Sequence, residues 1–117
     1  MSQSQRVPGT INPENMPFEM FEGGGHHRAM ISQNIQGMDV TVYHACIKPG
    51  QSHDWHSHEV DEAMYIIAGK GKYELEEGEF HYKASDFVFM PKGTLHRNSC
   101  TSDEEVYIVA IFQPSLE

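Results

Sequence analysis

Short runs of apolar and β-branched residues, each closed by glycine, proline or polar residues, follow one another from Ala29 to Phe112. Ala29–Gln33 is a short run. Asp39–Ile47 carries Val40, Thr41, Val42 and Tyr43 and ends at the Pro49-Gly50 turn. Glu62–Ala68 is apolar on both parities, the pattern of a strand covered on both faces. Gly69-Lys70-Gly71 interrupts it, and Lys72–Glu76 resumes with alternation. Glu77-Gly78 predicts a hairpin into Glu79–Tyr82. Ser85-Asp86 turns into Phe87–Met90, Pro91-Lys92-Gly93 turns again, and Leu95–Cys100 follows. The polar loop Thr101–Glu104 then leads to Glu105–Phe112. No segment shows a helical period. Eight or nine strands at this spacing predict an all-β fold, an antiparallel sandwich or barrel. Residues 1–28, with Pro8, Pro13, Pro17 and Gly23-Gly24-Gly25, read as an irregular arm with room for brief pairing near Met20-Phe21. Residues 29–117 then form the barrel domain. His26-His27 reads as loop or edge, since adjacent strand residues face opposite ways.

Composition narrows the partners. A chain of 117 residues makes one domain, and its net charge of −9 disfavours nucleic acid and anionic membrane. Cys46 and Cys100 lack metal or disulfide spacing and read as buried free thiols of a reducing compartment. Met1–Asn12 has no apolar signal core, and Val106–Phe112 is too short to span a bilayer, so a cytoplasmic protein is expected.

The chemistry concentrates between Gly50 and Gly69. His56 and His58 lie two apart, so on a strand their imidazoles share a face. Imidazole with carboxylate is a donor set for a divalent transition metal. Glu62 is four residues further, about 13 Å away if the chain stays extended. The chain is therefore expected to turn at Glu59-Val60-Asp61 so that Glu62 opens the next strand facing the histidines. His96, just after Pro91-Lys92-Gly93, offers a fourth donor from a distant strand.

These residues resemble a known pattern. Gly50-x5-His56-x-His58-x3-Glu62-x6-Gly69 is similar to the first cupin motif in every element, and Pro91-x-Gly93-x2-His96 to the heart of the second. The chain departs from the second motif at Ser85, where glycine is usual, and at Cys100, where asparagine is usual. The resemblance implies a jelly-roll or double-stranded β-helix barrel, a homodimer, and metal ligands at His56, His58, Glu62 and His96. The ion is one divalent transition metal per chain, and Fe, Mn, Ni, Zn, Co and Cu all suit the donors.

Around that centre, Glu62 and His53 are the candidate proton carriers, although parity places His53 at the rim. Trp55 is expected to face away and pack between sheets. His44 lines the cavity if its face looks inward and is otherwise a core histidine. Met64 shares the face of Glu62, and Asn98 that of His96, which makes both candidates for substrate contact. Tyr65, Ile67, Phe87, Val88 and Phe89 are expected in the core or at a subunit interface. The expected function is a metal-dependent enzyme acting on a small enol, diketone or aromatic compound, a dioxygenase-type oxidoreductase by resemblance. A non-redox lyase, isomerase or cyclase, and a small-molecule or sugar-binding module, are the alternatives.

Overall fold

The computed structural model describes residues 6–117; residues 1–5 of the expected arm lie outside the described part. Ten strands form two antiparallel sheets. The first sheet runs β1 (Phe18–Met20), β2 (His26–Ile31), β3 (Thr41–Ile47), β10 (Val106–Gln113), β5 (Asp61–Ala68), β8 (Phe87–Met90). The second runs β4 (Ser52–His56), β9 (His96–Cys100), β6 (Lys70–Leu75), β7 (Gly78–Lys83). The fold is the antiparallel sandwich that the run pattern predicts, in the jelly-roll form that the resemblance implies. No described helix is long and apolar enough to cross a membrane.

Alternation along the strands explains the core. β10 turns Val106, Ile108, Ala110 and Phe112 inward, and β5 turns Glu62, Met64 and Ile66 inward. Tyr73 and Tyr82 close the core from the second sheet. The opposite parity of β5 and β8 is uncovered, contrary to a strand buried on both faces. Phe87 is 80% exposed, Phe89 65% and Ile67 44%, with the rings of Tyr65 and Phe87 4.8 Å apart. On β8, Val88 and Met90 enter the core. Trp55 does face away from the histidines but lies at the surface, 5.6 Å beneath the Arg97 guanidinium, rather than between sheets.

The first residues of the chain differ most from expectation. A 3-10 turn covers Pro13–Asn15, and β1 and β2 add two strands to the larger sheet, so the boundary expected at Arg28 falls inside β2. β2 is specified by its partner: it runs antiparallel to β3 from His26↔Cys46 onward. The short helix α1 (Gln33–Gln36) is capped by Ser32, whose hydroxyl accepts from Ile35 N–H at 3.2 Å. One turn is too brief to leave a helical period in the sequence.

One strand glycine and one turn residue hold the site's supports in place. Gly71 passes so close beneath Tyr82 that a Cβ there would strike its hydroxyl and the Ser99 carbonyl. Ser85, where the resembling motif has glycine, has φ of +77°. Its N–H donates to Ile66 O at 2.8 Å, and Ile66 N–H donates to Asp86 O at 3.0 Å, so the turn is pinned to β5 despite the unfavourable backbone. Ser85→Gly is therefore expected to stabilise the fold by about 1 kcal/mol, read from urea denaturation midpoints; an unchanged or lower midpoint would show that no strain resides there.

Candidate metal centre

The two halves of the site come from opposite sheets. β4 ends at His56, and His58 lies beyond it in the connecting loop, not on the strand. The chain then crosses to the other sheet, where Glu62 is the first inward residue of β5. β4 and β5 are thus not a hairpin pair; the turn at Glu59–Asp61 is a crossover between layers. Two hydrogen bonds tie this loop to the turn before β9. Gly93 N–H donates to His58 O at 2.7 Å, and Lys92 N–H to Asp61 Oδ1 at 2.9 Å. The loops that carry His58 and His96 are thereby fastened together.

The ring nitrogens of His56, His58 and His96 lie within 4.8 Å of one another. Nitrogens bound to one ion at about 2.1 Å can be no more than about 4.2 Å apart, so side-chain rotations of under an ångström suffice to gather them. Glu62 completes the arrangement, with Oε1 3.8 Å from His58 Nε2 and 4.0 Å from His96 Nε2. Backbone carbonyls set the tautomers. His56 Nδ1–H donates to Asp54 O at 2.6 Å, and His96 Nδ1–H to Thr94 O at 2.7 Å. Each ring therefore presents its unprotonated Nε2, the form in which imidazole ligates a metal. The donors fit a divalent transition ion.

Burial governs the protonation of the site. Desolvation lowers His56 and His58 to about 4, and it also lowers His96. For His56 and His96 the backbone acceptors oppose this, and for His58 the neighbouring imidazoles add to it. Desolvation raises Glu62 to about 8. With neutral imidazoles beside a protonated carboxyl, the close His–Glu approaches are not ion pairs.

His53 is no rim residue. A β-bulge places two residues, Asp54 and Trp55, between His53 and His56 where β9 has only Arg97 between their partners Asn98 and His96. The extra residue reverses parity, so His53 and His56 both face inward and stack at 3.6 Å. Phe21 stacks on the other side of His53 at 3.7 Å. The glycine loop holds Phe21 there: Ser52 N–H donates to Gly23 O at 2.9 Å and Asp54 N–H to Glu22 O at 2.8 Å. The arm thus pairs with the outer edge of β4 and reaches over the cavity mouth.

His44 does not line the cavity. On β3 the inward parity belongs to Tyr43, Ala45 and Ile47, and His44 faces outward beside Tyr107, with ring centroids 5.7 Å apart. Met64 and Asn98 both line it, as expected. Asn98 is held fast, accepting from Tyr82 Oη at 2.5 Å and donating to Tyr73 Oη at 3.1 Å. His27 was missed by reading it as loop or edge. It lies on the inner face of β2, stacked on Tyr43 at 3.9 Å. Its alternation with Ala29 and the Tyr43 parity of β3 were the available signals. Leu116 also lines the mouth, and Tyr43 Oη donates to Glu117 Oε2 at 2.7 Å. The cavity measures about 110 Å³.

Comparison with known proteins agrees with this fold. The family model described as "Cupin domain" matches residues 43–112. An uncharacterized protein of Aquifex aeolicus (strain VF5) is 32% identical over 79 residues, 68% of this chain and 64% of that protein. The match thus spans less than two thirds of that relative's length. A predicted oxalate decarboxylase from Thermotoga maritima superposes with a TM-score of 0.78 at 19% identity, covering 91% of this chain and 99% of its own. The polyketide cyclase RemF from Streptomyces resistomycificus gives a TM-score of 0.80 at 14% identity, covering 93% and 81%. At such identities these structures speak for the fold.

Because Glu62 is protonated below about pH 8 without an ion, metal uptake at pH 7 is expected to expel close to one proton per chain. Titration calorimetry in buffers of different ionisation enthalpy measures this, and Glu62→Gln should abolish the release. Equal proton release by that variant would place the titrating group elsewhere.

Proposed function

Since the chain belongs to the cupin domain family, we propose that it is a metal-dependent enzyme acting on a small organic molecule, with dioxygenase-type oxidoreductase activity as the first reading. The observation that carries this is the bared Nε2 of His56 and His96, with His58 and the buried Glu62 carboxyl beside them at the foot of a small cavity. In the proposal these four side chains hold one divalent transition ion. Three nitrogens and one oxygen leave about two of six positions for a substrate's oxygens or a gas molecule. When bound, the ion supplies Lewis acidity and, if it is redox-active, one-electron chemistry.

The remaining work belongs to the chain. Glu62 would hold the ion through one carboxylate oxygen and would accept a proton from a carbon or hydroxyl of the substrate through the other. His53, fixed between Phe21 and His56 and pushed by burial and the neighbouring imidazoles down to about 2, would act as a neutral hydrogen-bonding group on the wall and not as a base. Phe21 and Leu116 narrow the mouth and restrict water. Asn98 and Met64 present one polar and one apolar contact, with Asn98 held by its two tyrosines.

A non-redox lyase, isomerase or cyclase reaction at the same centre is the second reading. It is supported by the buried carboxyl, which serves proton transfer with or without dioxygen, and by the solved relatives described as a decarboxylase and a cyclase.

Protein purified without added metal is expected to contain one transition ion per chain and to consume dioxygen with small 1,3-dicarbonyls or catechol-like compounds. Conversion without oxygen uptake would select the second reading, and binding without conversion would reduce the protein to a binding module. His56→Ala and His96→Ala should each lose the ion while keeping a β-rich circular dichroism spectrum. Full metal content in either variant would overturn the ligand assignment. Glu62→Ala should weaken the ion less, because three imidazoles remain.

A further inference from the structure

We infer that the cavity is built for a ligand that chelates through two oxygens while carrying a single negative charge, such as an enolised dicarbonyl or a catechol monoanion, and that it rejects dicarboxylates. This rests on the metal reading above and deepens it.

No lysine or arginine lines the cavity. The cations next in sequence to its lining residues are placed elsewhere: Lys72 pairs with Glu79 at 3.6 Å, and Lys48 lines a separate groove with His44. Arg97 pairs with Glu74 at 2.8 and 3.0 Å and covers Trp55 on the outer face. Arg28 donates to the carbonyls of Pro13 and Met16 at 2.9 and 2.6 Å. A divalent ion with the Glu62 carboxylate therefore leaves one net positive charge in an apolar cup. One negative charge on the ligand balances it. A second has no partner, and an unpaired charge in such surroundings carries a heavy desolvation cost. Glu117, hydrogen-bonded to Tyr43 near the mouth, adds further negative charge on the approach.

The hydrogen-bonding groups point the same way. Tyr43 is engaged with Glu117, while Tyr82 donates to Asn98, Asn98 donates to Tyr73, and Tyr73 donates to Met64 Sδ. Carboxylate recognition calls for several free donors, and these side chains are already occupied. What remains is a pair of imidazoles: the ring nitrogens of His27 and His53 make no hydrogen bond among the described residues. Each is held by its ring face, His27 on Tyr43 and His53 between Phe21 and His56. Two neutral imidazoles can each serve one carbonyl or hydroxyl oxygen, but neither supplies a fixed positive charge. The apolar walls from Ile47, Ile108 and Ala110 suit the rest of a small flat molecule.

Acetylacetone and malonate make a matched test, since both close a six-membered chelate ring and they differ by one charge when bound. Protein loaded with redox-silent Zn(II) is desalted, its zinc content measured, and each compound titrated by calorimetry with zinc retention checked afterwards. Acetylacetone is expected to bind about 100-fold more tightly than malonate. Leu116→Arg, which places a guanidinium at the mouth on an exposed segment, should close about tenfold of that gap by favouring malonate. A chain that takes up no zinc overturns the metal reading and this inference together. A zinc-loaded chain that binds malonate as tightly as acetylacetone overturns this inference alone. A ratio unmoved by Leu116→Arg removes charge as its cause.

Discussion

A carboxyl group buried against three imidazoles, with no lysine or arginine at hand, keeps its proton at neutral pH until something positive arrives. Much of the fold around Glu62 maintains that condition. β10 and β8 flank the carboxyl on β5, and the core residues Met64 and Ile66 continue its face away from water. On the opposite sheet, backbone carbonyls take the Nδ1 protons of His56 and His96, so these rings face the carboxyl as lone-pair donors and not as cations. The site is therefore neutral by construction, with the capacity to become charged on one event. A surface cluster of the same four side chains would lack this property, because water would keep each near its ordinary protonation.

What binds the two sheets at this point is short-range and local. The bonds from Gly93 and Lys92 to His58 and Asp61 join the turn before β9 to the crossover before β5. They explain how donors 34 to 40 positions apart (His96 against Glu62 and His56) keep their separation without a covalent link. The N-terminal segment adds a second brace from the other side. By bonding along the outer edge of β4, Glu22 and Gly23 pair groups that an edge strand would leave open, and they deliver Phe21 onto His53.

Strand order of residues and the spacing of the donors were legible because they obey one rule, the alternation of the pleat. Phe87–Met90 was read with its observed limits, and the fold-back that brings Glu62 to the histidines follows from distance alone. The failures mark where that rule breaks or lacks a reference. His53 was misplaced because a single bulge reverses parity and leaves no sign in residue type. For His44, alternation could not say which parity of β3 looks inward, since Val42, His44 and Cys46 are no more polar as a set than Tyr43, Ala45 and Ile47. His27 and the strands at 18–31 were obscured by glycines and prolines nearby, although pairing with β3 is what gives β2 its form. Trp55 and Phe87 show that apolar type alone does not establish burial.

The N-terminal arm at Phe21 and the C-terminal residues Leu116–Glu117 frame the entrance while contributing none of the four proposed donors. Changes confined to these segments would therefore alter what enters the chamber while leaving its proposed reactive floor untouched. Diversification of chemistry and diversification of clientele become separable, and the second can proceed through insertions and deletions at the ends, where a barrel tolerates them best.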